Sequence, residues 1–301
     1  MSRKYQVNLH AINISAHPHP AQTYENLIKR IFVARKPVQI WGERMALMTS
    51  LRWISRRGSD DRVGAFGVIS TYTDIDLDAP WINTSTGRTV GDEEVEEIVI
   101  PPLLRPHCAQ FMYYFNLSTH ILAFQGTVRM PVRSGGYKSY SLTPKHMERY
   151  LESMSSMPAV KADLRQINIT VVPDPDTINN ILNQTNIREI TLTIKAPNPD
   201  NVASERGRVS QRLRNMNAKR KTESYVAAED GGGVTPDEEL RTMAKVAALD
   251  GKVVARVGTE NGIVPMSTLN KPLTDRVLID TDIEVESETL RREAARIAQG
   301  N

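Results

Sequence analysis

The sequence predicts an α+β fold in which mixed or antiparallel sheets are covered by helices, followed by a basic helical segment and a C-terminal hairpin plus helix. Three observations carry this. Stretches with period-two alternation recur along the chain, stretches with helical spacing are set among them, and beyond residue 200 the composition turns polar and basic.

The first element is "YQVNLHAINI", whose alternation marks a half-buried strand. The prolines of "AHPHPAQ" turn the chain out of it, because proline cannot extend a central strand. In "TYENLIKRIFVAR", Tyr24, Leu27, Ile28 and Ile31 recur at helical spacing. "RMALMTSLRWIS" and "VGAFGVISTYTDIDL" follow as strands joined by the polar turn "RRGSDDR". An acidic surface connection, "APWINTSTGRTVGDEEVEE", and the punctuation "IPPLLRP" lead into a second set. There "HCAQFMYYFNLSTHILAFQG" reads as a strand hairpin, with Phe111, Tyr113 and Phe115 on one side as core. Thr143 and Pro144 supply an N-cap and a first-turn proline for a helix through "KHMERYLESM". "QINITVV" is a strand, "PDPDTINNILNQT" a turn with a short helix, and "IREITLTIKA" another strand.

After "APNPD", "NVASERGRVSQRLRNMNAKRK" is expected as a single basic helix. Val209, Leu213 and Met216 form a narrow apolar stripe that docks it as an accessory arm, with Arg208, Arg212 and Lys219 on its outer face. "AAEDGGGVTP" is a flexible break and "DEELRTMAKVAAL" a helix; "GKVVARV" and "GIVPMST" flank "GTEN" as a hairpin. "TDRVLIDTDIEV" adds a strand, and Leu290, Ala294 and Ile297 mark a closing helix, acidic at its start and basic at its end as the helix dipole prefers. The chain is thereby divided into an N-terminal α+β half (1–100), a second α+β half (101–200), the basic helical segment and linker (201–250), and the C-terminal hairpin and helix (251–301).

Composition narrows the function classes. Apolar residues make up 40% of the chain and charged residues 24%, an ordinary folded balance. The net charge of +3 is too small to argue for a polyanionic partner, so local clustering has to. One cysteine, Cys108, excludes an internal disulfide and any cysteine-based zinc site. The N-terminal stretch lacks the apolar run of a signal peptide, and no apolar stretch is long enough to span a bilayer. A cytoplasmic protein away from the membrane is expected. The phosphate-binding loop of nucleotide hydrolases and the nucleophile elbow of serine hydrolases are both absent from the sequence. His107 beside Cys108 makes no dyad, since neighbours on a strand point to opposite faces.

The strand ending in "AHPHP", the helix from "TYENL", the strand exit "DIDLDAPW", the segment "INTSTGRTV", and the late pair "GKVVARVG" and "GIVPMST" together resemble a bacterial family of unknown function, number 4747, over most of the chain. That resemblance implies a prokaryotic cytoplasmic protein encoded among mobile elements or antiviral defence genes. It assigns no catalytic residue.

Two constellations are candidates for chemistry. Asp74, Asp76 and Asp78 in "TDIDLDAP" would share a face on an extended chain and could hold a divalent metal, although Ala79 and Ser85 stand where a calcium loop needs glycine and glutamate. The bland reading is a solvated strand end. No cofactor is otherwise expected. His17 and His19, flanking Pro18, could act as an acid–base pair in phosphodiester cleavage without metal, or simply satisfy backbone groups in a turn.

The denser signal is basic. Residues 205 to 221 carry Arg206, Arg208, Arg212, Arg214, Lys219, Arg220 and Lys221 against one acid, Glu205. In "VRMPVRSGGYKSYSLTP", Arg129, Arg133 and Lys138 supply cations, Gly135 and Gly136 permit close approach of a phosphate, and Tyr137 and Tyr140 could stack on bases. A helix start follows, whose free N–H groups favour anions. The expectation is a protein that binds nucleic acid (RNA or single-stranded DNA) through Arg129, Arg133, Tyr137, Lys138, Arg208, Arg212, Lys219, Arg220 and Lys221, in a defence or mobile-element setting. The alternatives are a nuclease using the aspartates or the histidines, and a non-enzymatic component that meets a protein partner or a second copy of itself.

Overall fold

The computed structural model describes residues 4–17, 20–91, 95–96, 98–101, 103–195, 205–229, 232–280 and 285–299. The chain opens with β1 (Lys4–His17) and α1 (Ala21–Ala34), then β2 (Val38–Trp41), β3 (Arg44–Ser55) and β4 (Arg62–Thr73). A small ribbon, β5 (Ile82–Asn83) and β6 (Arg88–Thr89), precedes β7 (Ala109–Asn116) and β8 (Ile121–Gln125). Next come β9 (Thr127–Pro131), β10 (Tyr137–Ser141), α2 (Pro144–Ser156), α3 (Pro158–Lys161), β11 (Gln166–Val171) and α4 (Pro175–Leu182). The last third holds β12 (Ile187–Lys195), α5 (Glu205–Asn215), β13 (Arg220–Val226), α6 (Glu238–Asp250), β14 (Gly251–Thr259), β15 (Gly262–Ser267), β16 (Asp275–Asp280) and α7 (Glu286–Ala298). The fold is α+β, as the alternating pattern predicted.

The larger sheet runs β11-β1-β8-β7-β4-β3-β2, with β16 also on β1, and all its pairings are antiparallel. Strand β1 is long because two strands share one of its edges: Lys4–Leu9 pair with β16, and Ile12–His17 pair with β11. Successive side chains point to opposite faces. Ile12, Ile14 and Ala16 thus join α1, α2 and α3 in the largest core, with Tyr24, Leu27, Ile28, Phe111, Tyr113 and Phe115. On the other face Val7, Leu9 and Ala11 meet Leu290, Ala294 and Ile297 of α7. Backbones approach closely between β3 and β4: a Cβ on Gly67 would lie 2.1 Å from the Ser50 carbonyl oxygen, so only glycine fits beside the bulge between Met48 and Ser50.

The second sheet runs β13-β12-β14-β15, and its own apolar cluster joins Ile190, Leu192 and Ala255 to α4, α5 and α6. The boundary expected at residue 100 does not separate two sheets, because β4 and β7, on either side of it, are paired from Gly64↔Asn116 to Thr71↔Ala109. Residues 251–301 are likewise split, β14 and β15 going to the second sheet and β16 and α7 to the first.

Two further expectations are corrected. The stretch read as a loop before α2 is a β-hairpin, β9 paired with β10, whose turn uses Gly135 and Gly136 at φ of 86° and 85°. The basic segment is not one helix. Helix α5 stops at Asn215, Asn217 takes φ of 51°, and the Ala218 and Asn217 amides donate to the Leu213 and Arg214 carbonyls. That is the left-handed stop by which helices commonly end, and it turns the chain into β13. Helix α5 is also no loose arm: Gly207, Val209, Ser210 and Leu213 are buried, while Met216, expected in the docking stripe, is 64% exposed. Among the described residues no helix is long and apolar enough to cross a membrane.

Candidate nucleic-acid interface

The junction of the two sheets is polar. Asn13, Ser15 and His17 share the face of β1 that carries Val7, Leu9 and Ala11, and their register partners Thr170, Asn168 and Gln166 lie on the same face of β11. Asn13, Ser15, His17, Asn168 and Thr170 are all buried, because α6 and its neighbours cover this end of the strand. The Asn13 amide donates to the Leu249 carbonyl and to the Asp250 carboxylate, at 3.1 Å each. Arg206 reaches the same carboxylate from α5 with two hydrogen bonds of 2.7 Å. Burial pushes the Asp250 carboxyl up, and Arg206 and Asn13 pull it back.

This seam opens into a cleft of about 1160 Å³ at the β11 edge. His17 and Gln166 line it from β1 and β11, Glu152, Ser155 and Ser156 from the end of α2, Lys161 from the end of α3, and Asp163 and Arg165 from the turn that follows. The stop of α5 supplies Arg214, Asn217 and Lys219. Two contacts fix these segments: the Arg165 amide donates to the His17 carbonyl at 2.9 Å, and the Gln166 amide group to the Lys219 carbonyl at 3.4 Å. Four cations thus face two acids, and one of those acids, Asp163, is held by Arg30 at 2.7 Å. That pair keeps the Asp163 carboxyl below its ordinary range. Ser155 also lines the cleft, and its buried hydroxyl has no hydrogen-bond partner among the described residues. The arrangement offers long cations on mobile stems and neutral donors around a concave surface, which suits phosphate oxygens.

The sequence candidates distribute as follows. His17 and Lys219 reach this cleft, and His19 lies outside the described residues. Arg208 is exposed on α5 and paired with Glu205 at 3.2 Å, and Arg212 is exposed nearby. Lys221 is engaged by Glu223 at 2.5 Å, and Arg220 is exposed at the start of β13. Because the helix stops at Asn215, Lys219 does not continue the face of Arg208 and Arg212, as the single-helix reading required. Arg165 and Lys161 were missed, since they stand alone in sequence and only the fold gathers them.

The hairpin cations form a separate group. Arg129 lies over the Tyr137 ring at 5.4 Å and Lys138 over the Tyr140 ring at 5.7 Å, on opposite faces of the ribbon, while Arg133 is exposed in its turn. The hairpin springs from Gly126, which bonds to Asn8, nine residues along β1 from His17 and so roughly 30 Å from the cleft. Loop and basic segment therefore do not make one site.

The aspartate cluster does not assemble. Strand β4 ends at Thr73, Asp74 turns to Arg105 at 2.5 Å, and Asp76 accepts from the Asp78 amide at 2.9 Å in a local turn. Among the described residues no three His, Cys, Asp or Glu side chains gather as a metal ion requires. Cys108 is exposed, and Thr73 holds the neighbouring His107 ring at 3.1 Å.

Two antiparallel sheets, helices on their faces and a basic cleft at their junction define the class: an α+β protein with a concave, cation-lined surface. The chain belongs to the family described as a domain of unknown function (DUF4747), whose model matches residues 5–295. A search among curated proteins finds no match.

Proposed function

We propose that this chain binds RNA or single-stranded DNA, with the phosphate backbone lying in the cleft. One observation carries the reading: Lys161, Arg165, Arg214 and Lys219, drawn from separate segments of the chain, converge on a single cleft of about 1160 Å³. The exposed Arg212 and Arg220 stand two residues before Arg214 and one after Lys219. The defence or mobile-element setting rests on the family resemblance and forms part of the same proposal. Fluorescence anisotropy with short labelled RNA and DNA strands tests it. Binding to either strand, weakened at least tenfold when Arg165 and Lys219 are both replaced by alanine, supports the reading; no binding to either strand sinks it.

A second reading is favoured by the place of His17, a buried residue that lines the same cleft. There it could pass a proton to or from a phosphodiester. Cleavage that persists in EDTA and vanishes in His17→Ala would support it, and an intact strand after long incubation would leave binding alone.

A further inference from the structure

A second surface stands at the opposite end of α2. Trp41 closes β2 at the tight turn into β3, with Gly42 at φ of 48°, and is 68% exposed although tryptophan normally buries its large ring. Its ring lies near-parallel to that of His146, with centroids 6.4 Å apart and planes 26° apart. His146 stands in the first turn of α2, where Thr143 caps the helix by accepting from the His146 amide at 3.2 Å. Arg44, next to the turn, donates to the Thr71 hydroxyl at 3.0 Å. Arg149 follows one turn beyond His146 on α2 and is exposed.

Among the described residues neither Arg44 nor Arg149 forms an ion pair, and both disfavour protonation of His146. Of the nearby acids, Glu148 is taken by Lys145 at 2.7 Å, Glu43 is exposed in the turn, and Glu152 is exposed one turn beyond Arg149. A half-buried guanidinium bonded to a hydroxyl, beside a second arginine and an exposed indole, offers an anion site next to a stacking platform.

We propose that this surface holds an unpaired nucleobase and its flanking phosphate, the base stacked on Trp41 and the phosphate between Arg44 and Arg149, and that the same strand runs along α2 to the cleft. The inference rests on the nucleic-acid reading of the cleft and adds the substrate class: a strand with free bases. The path fits the fold. On helix α2, His146 beside Trp41 and Ser156 on the cleft wall stand ten residues apart, roughly 15 Å along the axis. Its outward residues Lys145, Arg149, Glu152 and Ser156 recur at helical spacing and are exposed, which leaves the route open.

The test compares Trp41→Ala and Trp41→Phe with the wild type on RNA, single-stranded DNA, duplex DNA and an abasic strand of equal length. Trp41→Ala should weaken binding to the base-bearing strands about tenfold. It should leave the abasic strand unaffected, and Trp41→Phe should keep most of the affinity. The RNA and DNA arms show which sugar the strand carries. Equal affinity of Trp41→Ala and wild type for base-bearing strands, or an equal loss on the abasic strand, overturns the stacking site while the cleft stands. Absence of binding by the wild type removes both, and tighter binding of duplex than of single strands overturns the assigned substrate class. Matching thermal melts of the variants confirm that exposed Trp41 is not a folding residue.

Discussion

Arg206 of α5 grips Asp250, the last residue of α6, through two hydrogen bonds of 2.7 Å, and the Asp250 side chain is 1% exposed. Asn13 donates to the same carboxylate, so β1 of the first sheet, α5 and α6 meet at one charge. Arg206→Ala leaves that carboxylate buried and short of its strongest partner, and should cost about 3 kcal/mol in urea unfolding. Replacing Arg206 and Asp250 together by apolar residues of similar size should cost less than Arg206→Ala alone.

The same contact gives a pH dependence. Burial holds the Asp250 carboxyl above its unfolded value. The folded state therefore takes up the proton more readily, and the site's contribution is most favourable at low pH and is lost as pH rises through the folded pKa. Removing Arg206 takes away an influence that lowers this pKa. The deficit of Arg206→Ala should be largest at neutral pH and shrink on acidification from there toward the ordinary carboxylate range; a deficit that grows on acidification would contradict the assignment.

Asn217 holds the left-handed stop that swings Lys219 into the cleft. Asn217→Ala should cost about 1 kcal/mol of stability, whereas Asn217→Gly should be neutral or stabilising. Chemical denaturation of the pair decides it.

His146 is pushed below the ordinary imidazole range by burial, with Arg44 and Arg149 acting the same way, and Trp41 faces its ring. It should be neutral at neutral pH. NMR titration should show its pKa rising in Arg149→Gln and rising again when a phosphate-bearing strand binds, because an added anion favours the imidazolium.

Asp76→Asn should leave thermal stability unchanged, with or without magnesium, because asparagine keeps the acceptor oxygen used by the Asp78 amide. A magnesium-dependent rise in melting temperature that Asp76→Asn abolishes would restore the metal reading.

Much of the fold was legible because burial wrote itself into periodicity. Strand β1, α1 and the α2 cap with Thr143 and Pro144 stand where the pattern put them. The polar seam was not legible: Asn13 and Ser15 continue the face of Val7, Leu9 and Ala11 with polar side chains, and only the packing of α6 against β1 shows that they are buried. Charge density misled in a similar way. Arg206 and Lys221 added to the count for residues 205–221, yet they are spent on Asp250 and Glu223. Arg165, isolated in sequence, lies in the cleft. One local signal was overlooked: an asparagine two residues beyond a helix is a common left-handed stop, and Asn217 would have ended the basic helix before Lys219.

The salt dependence of strand binding tests the central claim most directly. Each phosphate neutralised in the cleft releases counterions, so log affinity falls linearly with log salt, by about 0.7 per contact on a single strand. Comparing the wild type with the Arg165→Ala/Lys219→Ala double variant, the account predicts weaker binding and a slope shallower by about 1.4. The same affinity and the same slope in both proteins would show that the cleft does not hold the phosphates.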